Sequence, residues 1–294
     1  MDMTTTVAPE RPMMRQIAAR HWPILLGVLA LLAPSFISLA QQVWSTEAGV
    51  HGPIVLATGA WLIARRAEEL KSVKRPGSVA ITALMLAPVL LVYVFGRAFD
   101  FIFLEIGALG GVLVALFYLY FGGEAVRRMW FPIFYLGFLI PLPGWFVDQI
   151  TAPLKTYISW SATELLQYAG YPVAREGVTL YIAQYQLLVE DACAGLNSII
   201  SLTAISLFYI YILHNANWRY SLFLVLWILP VALLANLVRV LALVLITYYW
   251  GNAAAQGYLH STAGLVMFAT ALIGIFAVDS LMTPVRKHLS KGKP

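Results

Sequence analysis

Apolar residues in this chain fall in long blocks rather than in the short alternations of a soluble fold. Eight blocks stand out, at about 22–40, 49–64, 78–96, 101–121, 130–147, 194–213, 219–239 and 261–282. Each comes near the ~20 residues that a helix rising 1.5 Å per residue needs to cross about 30 Å of hydrocarbon, the second being the shortest. The pattern predicts an all-α polytopic membrane protein of about eight transmembrane helices, with a lipid bilayer as its first partner. Residues 1–21 read as an N-terminal tail, 22–282 as one membrane domain and 283–294 as a basic tail. Ser38-Leu39-Ala40 loosely fits a leader-cleavage site, but the apolar run before it is longer than a leader's and reads as an uncleaved span.

Most connections are short. The exception is 148–193, between the fifth and sixth blocks. Pro141 and Pro143 break the end of the fifth block. Beyond them Ile150, Leu154, Tyr157, Ile158, Leu165 and Leu166 recur at helical spacing, which predicts an amphipathic helix on the membrane surface. After Gly170-Tyr171-Pro172 the stretch 177–189 is rich in β-branched and aromatic residues and predicts one or two short strands.

Composition agrees with the pattern: 61% of residues are apolar and 11% charged, against about 25% charged in soluble domains. The mean hydropathy is +0.79. A soluble enzyme, a disordered linker and a disulfide scaffold are excluded. The net charge of +5 does not point to nucleic acid, because the basic residues sit in inter-helix loops. Of the 19 Lys and Arg, all but Arg97, Lys155, Arg175 and Arg239 fall on one set of alternating connections. The positive-inside rule therefore places both termini in the cytoplasm and the 148–193 segment outside. The five histidines show no metal-ligand spacing and no phosphate-binding glycine loop is present, so neither a metal nor a nucleotide cofactor is implied. Gly107 and Gly111 have the spacing of a close helix contact.

Three residues come to one depth on the outer side. Cys193, the only cysteine, precedes the sixth block, and His260 precedes the eighth. Arg239 lies about 20 residues into the seventh, near the outer interface, with Asn236 on the same helix face. The apolar run continues past Arg239 to Trp250, so this is no simple flanking charge, and ionisable groups inside a membrane are functional candidates. Each has a bland reading: a small apolar Cys, an interfacial His, an Arg that snorkels. Their chemistry is complementary. A helix N-terminus and a nearby cation favour the thiolate. An imidazole can protonate a leaving amine, and a guanidinium can hold an oxyanion or a carboxylate. Glu190 and Asp191 oppose the thiolate unless they face a cation or the substrate. The set suits acyl transfer through a thioester.

At these residues the chain resembles the exosortase/archaeosortase family. The likeness lies in Ala192-Cys193-Ala194-Gly195-Leu196-Asn197-Ser198, in Asn236-Leu237-Val238-Arg239, and in His260-Ser261-Thr262-Ala263-Gly264 with Phe268. It covers about 170–285, with the motif region at 190–268. The resemblance implies a cysteine transpeptidase of the bacterial inner membrane with its site on the periplasmic side. Its partners would be exported proteins bearing a C-terminal sorting signal, made of a short motif, one transmembrane helix and a basic tail. By position Cys193 would be the nucleophile, His260 the acid/base and Arg239 the orienting cation. Asn236, Glu190, Asp191, Asn197, Ser198 and Ser261 are supporting or substrate-contact candidates. The acceptor nucleophile stays open. A transporter or channel using Glu105, Asn236 and Arg239, a structural subunit of an export or polysaccharide complex, and a lipid acyltransferase are the competing readings.

Overall fold

The computed structural model describes residues 13–46, 49, 51–71, 76–188, 194–214, 218–251 and 258–284. The elements in order are α1 (Met13–Gln42), α2 (Gly52–Arg65), α3 (Ala67–Lys71), α4 (Val79–Ala98), α5 (Ile102–Arg128) and α6 (Trp130–Leu136). A 3-10 turn (Gly137–Leu139) leads to α7 (Gly144–Tyr168), and three strands follow: β1 (Val173–Glu176), β2 (Thr179–Ile182) and β3 (Tyr185–Leu188). Three long helices follow: α8 (Ala194–His214), α9 (Trp218–Trp250) and α10 (Tyr258–Leu281).

Among the described residues, four helices are long and apolar enough to cross a membrane: Trp22–Gln42, Val79–Ala98, Ile102–Arg128 and Arg219–Trp250. Each turns many apolar side chains outward. Leu84 and Leu91 of α4 and Leu226 and Leu234 of α9 are all well exposed, as lipid-facing residues are and core residues of a soluble protein are not. This is a helical membrane protein. The sequence spans 49–64 and 130–147 fit less well. Helix α2 has 14 residues, about 21 Å, which is short of the hydrocarbon thickness. The fifth block is a broken one: Trp130–Leu139 meets Gly144–Tyr168 at 92°. Pro141 and Pro143 stand in that break. Their rings fix φ and remove two amide donors, so neither helix can run through.

The hairpin of α4 and α5 is tight, because a side chain on Gly96 would meet the Glu105 backbone nitrogen at 2.6 Å. Gly111 approaches Val89 of α4, where an added Cβ would lie 3.0 Å from Cγ1, whereas Gly107 has nothing nearer than Ile140 at 3.9 Å. The two glycines therefore do not form one contact stripe; only Gly111 serves α4. Glu105 is buried, at 3% exposure. One of its oxygens, Oε1, accepts from Ser35 Oγ at 2.6 Å and from Arg97 Nη1 at 3.1 Å. Tyr93 Oη lies 3.0 Å from Ser35 Oγ and donates to the Leu31 carbonyl. The carboxylate thus ties α1, α4 and α5 together, which accounts for a residue that the transporter reading had wanted for a substrate path.

Helix α7 and the strands form a cap. The strands make an antiparallel meander, with Val173 opposite Ile182 and Thr179 opposite Leu188. The expected one or two strands are in fact three. Strand β1 escaped the sequence pattern because it is an edge strand with only Val173 buried, so no alternation marks it. The expected amphipathic helix begins at Gly144 and buries Lys155, Ile158, Ser159, Ala162 and Leu166. Ile150, Tyr157 and Leu165 of the expected apolar set face outward instead. The cap core joins Ile158, Ala162 and Leu166 to Val173, Leu180 and Ile182, and all of these pack on Val240, Leu243 and Val244 of α9.

Candidate active site

Helix α9 has 33 residues, about 50 Å, far longer than a bilayer crossing. Its two parts have different neighbours. Tyr220, Leu224, Ile228, Val231 and Ala235 pack in the bundle with α8 and α10. Val240, Leu243 and Val244 form the floor of the cap. The apolar run that continues past Arg239 is therefore the support of the cap. Asn236 (1% exposed) and Arg239 (3%) lie where the two packing zones meet. A nearly fully buried guanidinium is rare in any protein.

The register of the last three helices gives the depth of the other candidates. Only residues 215–217 separate α8 from α9, and Tyr209 of α8 and Tyr220 of α9 both reach Asp279; two packed helices joined by so short a link are antiparallel. Counting equal numbers of residues from that link brings Ala194 level with Val238. Tyr220 Oη donates to Asp279 Oδ1 at 2.8 Å, and Gly274 faces Val231, so α9 and α10 are also antiparallel. Counted from the first contact Arg239 is level with His260, and from the second with Val266, a bracket of about 9 Å. Tyr209 Oη donates to the other oxygen, Oδ2, of Asp279 at 2.8 Å. That contact sets Ala194 level with Gly264, about 6 Å along the axis from His260. The first turns of α8 and α10 thus stand within about two helical turns of Arg239 in depth. Cys193, Glu190 and Asp191 lie outside the described residues. The same holds for the side chains of Asn197, Ser198, His260 and Ser261, whose backbones belong to α8 and α10.

Two further buried polar groups lie at this end of the bundle. Lys155 of α7 is 8% exposed and its Nζ lies 3.4 Å from Asp148 Oδ1. It had counted only as one of the few outer basic residues. Its spacing from Ile158, Ser159 and Ala162 would have marked it as a charge on the buried face. His51 is also 8% exposed, and its Nδ1 is 2.8 Å from Ser201 Oγ of α8. No local pattern could flag it, because its partner is 150 residues away in sequence.

A buried cation on a long helix, flanked by two helix N-termini of similar depth, can stabilise negative charge at that level. The dipoles of α8 and α10 add to it, each equivalent to roughly half a positive charge at the helix start. Such a place favours a thiolate and a tetrahedral oxyanion. No curated protein and no solved structure matches the chain. The family model for transmembrane exosortases does match it, over residues 43–277. That range holds the cap, Arg239 and the start of both flanking helices, and with most of its length matched, the chain belongs to the transmembrane exosortase family.

Proposed function

We propose that this chain is a membrane cysteine transpeptidase that cleaves C-terminal sorting signals from exported proteins. The thiolate of Cys193 attacks the scissile carbonyl, and Arg239, assisted by Asn236, holds the oxyanion. Collapse of the tetrahedral intermediate breaks the C–N bond, and His260 gives its proton to the leaving amine. The carboxyl side of the substrate remains on Cys193 as a thioester. His260 then deprotonates an incoming acceptor, whose attack releases the product and the thiol. No metal or nucleotide enters this sequence.

The observation that carries the reading is the common depth of Arg239 and the first turns of α8 and α10, in a chain of exosortase type. A single-helix substrate reaches that depth only through the bilayer, so its scissile bond emerges where the cap meets the bundle. The distribution of Lys and Arg supports eight crossings of the inner membrane with both termini cytoplasmic and the cap in the periplasm. A basic substrate tail would then stay on the cytoplasmic side.

The test is processing in cells of a host-derived exported protein with such a signal. Wild type is compared with Cys193→Ala, Arg239→Ala and His260→Ala at matched membrane abundance. The reading expects loss of processing in all three. Normal processing by Cys193→Ala would sink it.

A further inference from the structure

A cavity of about 240 Å³ lies at the cap end of the bundle, beside α8. Its walls come from four places in the chain: the end of α1, the start of α2, the break between α6 and α7, and Ile200 of α8. Trp44, Phe138, Pro141, Leu142 and Ile200 make it mostly apolar. An apolar cavity of roughly 150 Å³ already accepts a benzene ring and stays free of water. This one has room for any apolar side chain with some backbone.

The cavity is built rather than left over. A side chain on Gly49 would collide with the Val43 carbonyl, and one on Gly52 with the Trp44 indole, so these glycines allow the turn that folds Trp44 over the space. His51 is held at both ring nitrogens, Nδ1 at 2.8 Å from Ser201 Oγ and Nε2 at 3.4 Å from the Phe138 carbonyl. A carbonyl only accepts, so in the neutral ring Nε2 carries the proton and Nδ1 accepts from the Ser201 hydroxyl. The imidazole therefore serves as a fixed wall that locks α2 and the α6–α7 break to α8. At the lip, Asp148 is paired with Lys155.

Position supplies the occupant. Ile200 lies about 9 Å along α8 from Ala194, the residue that follows Cys193. An extended peptide covers about 3.3 Å per residue, so roughly three residues span that distance. Helix α8 runs from its start into the bundle, which puts the cavity on the membrane side of the bond under attack.

We infer that this cavity is a specificity pocket, taking one apolar side chain of the exported substrate about three residues from the scissile bond, on the side of its transmembrane helix. The inference rests on the transpeptidase reading and adds to it the residue type and the position that are read.

The chain has one cysteine, so Cys193→Ala leaves it without a thiol and ready for cross-linking. Leu142→Cys, at the cavity mouth, is combined with Cys193→Ala and co-expressed with the exported substrate carrying a single cysteine. That cysteine is walked from the motif into the transmembrane helix, and mild oxidation follows. The cleavage point is mapped by mass spectrometry of the product from wild type. Cross-linking should peak at one or two adjacent substrate positions about three residues from that point, and Leu84→Cys on the outer face of α4 should give none. Absence of a peak, or equal cross-linking at Leu84→Cys, overturns the pocket. In the chain with Cys193 intact, Val147→Phe narrows the cavity and should lower processing about tenfold. Processing should recover when the substrate residue at the peak position is reduced to glycine, and failure to recover also overturns the pocket. Cross-linking reports binding without chemistry, so a peak together with normal processing by Cys193→Ala refutes the nucleophile and leaves the pocket standing.

Discussion

Replacing Arg97 by alanine should damage the bundle more than replacing its buried partner Glu105 by leucine. The two groups are 3.1 Å apart, with side-chain exposures of 45% and 4%. Arg97→Ala leaves the carboxylate in place among α1, α4 and α5, with Ser35 as its remaining donor. Breaking a buried pair from one side costs about 3–5 kcal/mol. Water already reaches the half-exposed guanidinium and weakens the pair, so about 2–3 kcal/mol is the expected loss. Glu105→Leu removes the buried charge itself. Ser35 keeps Tyr93, and Arg97 keeps Ser38 at 2.8 Å. Only two hydrogen bonds are lost, at about 0.6 kcal/mol each within a membrane, partly offset by a new apolar side chain. About 1 kcal/mol is expected, and the double variant should match Glu105→Leu rather than the sum of the two. Thermal unfolding of purified protein in detergent, followed by helical circular dichroism, reads the difference. At about 2–4 °C per kcal/mol, Arg97→Ala should lower Tm roughly twice as far as Glu105→Leu. Equal losses that add in the double variant would refute the assignment of Glu105 as the buried, dependent member of the pair.

Three shorter predictions accompany it. Arg239→Lys should abolish most processing at normal membrane abundance, because an ammonium lacks the planar fork of donors; activity within about twofold of wild type would show that charge alone suffices. Gly111→Ala must push against Val89 and should lose about 1 kcal/mol, whereas Gly107→Ala should unfold like wild type in the same detergent melt. Leu180→Ala empties a fully buried position in the cap and should cost about 2–5 kcal/mol there. Trypsin should then cut faster at the exposed Arg175, while the helical signal of the bundle stays constant.

Part of the candidate site was legible in the chain. Counting from Arg219 singled out Arg239 as an ionisable residue far along an apolar helix of fixed rise, and Arg239 is buried where the bundle meets the cap. What counting could not supply was the purpose of the apolar residues from Val240 to Val244. A run facing lipid and a run facing a cap core have the same hydropathy. Hydropathy alone drew the fifth span at 130–147, whereas Pro141 and Pro143 already marked a break at its end, and the chain bends there by 92°. Strand β1 lacked alternation because Val173 alone of its four residues is buried. Lys155 and His51 were missed for different reasons. The first sits on a helix face whose polarity is mixed with Thr151, Ser159 and Thr163, and the second owes its place to contacts remote in sequence. Glu105, which the transporter reading had drawn into a substrate path, is paired with Arg97.

That α9 is both a bundle helix and the floor of the cap has a consequence for how the chain is made. Residues 144–188 leave the ribosome well before Val240, Leu243 and Val244, the residues that complete their core. At about 5–20 residues per second the delay is several seconds, far longer than a hairpin needs to form. During that interval Ile158, Leu180 and Ile182 have no floor to pack on, and the segment is exposed to proteases and to premature pairing of its edge strands. Insertion of α9 closes that interval. Synthesis therefore orders assembly so that the cap can reach its native packing only after the helix carrying Arg239 is in place.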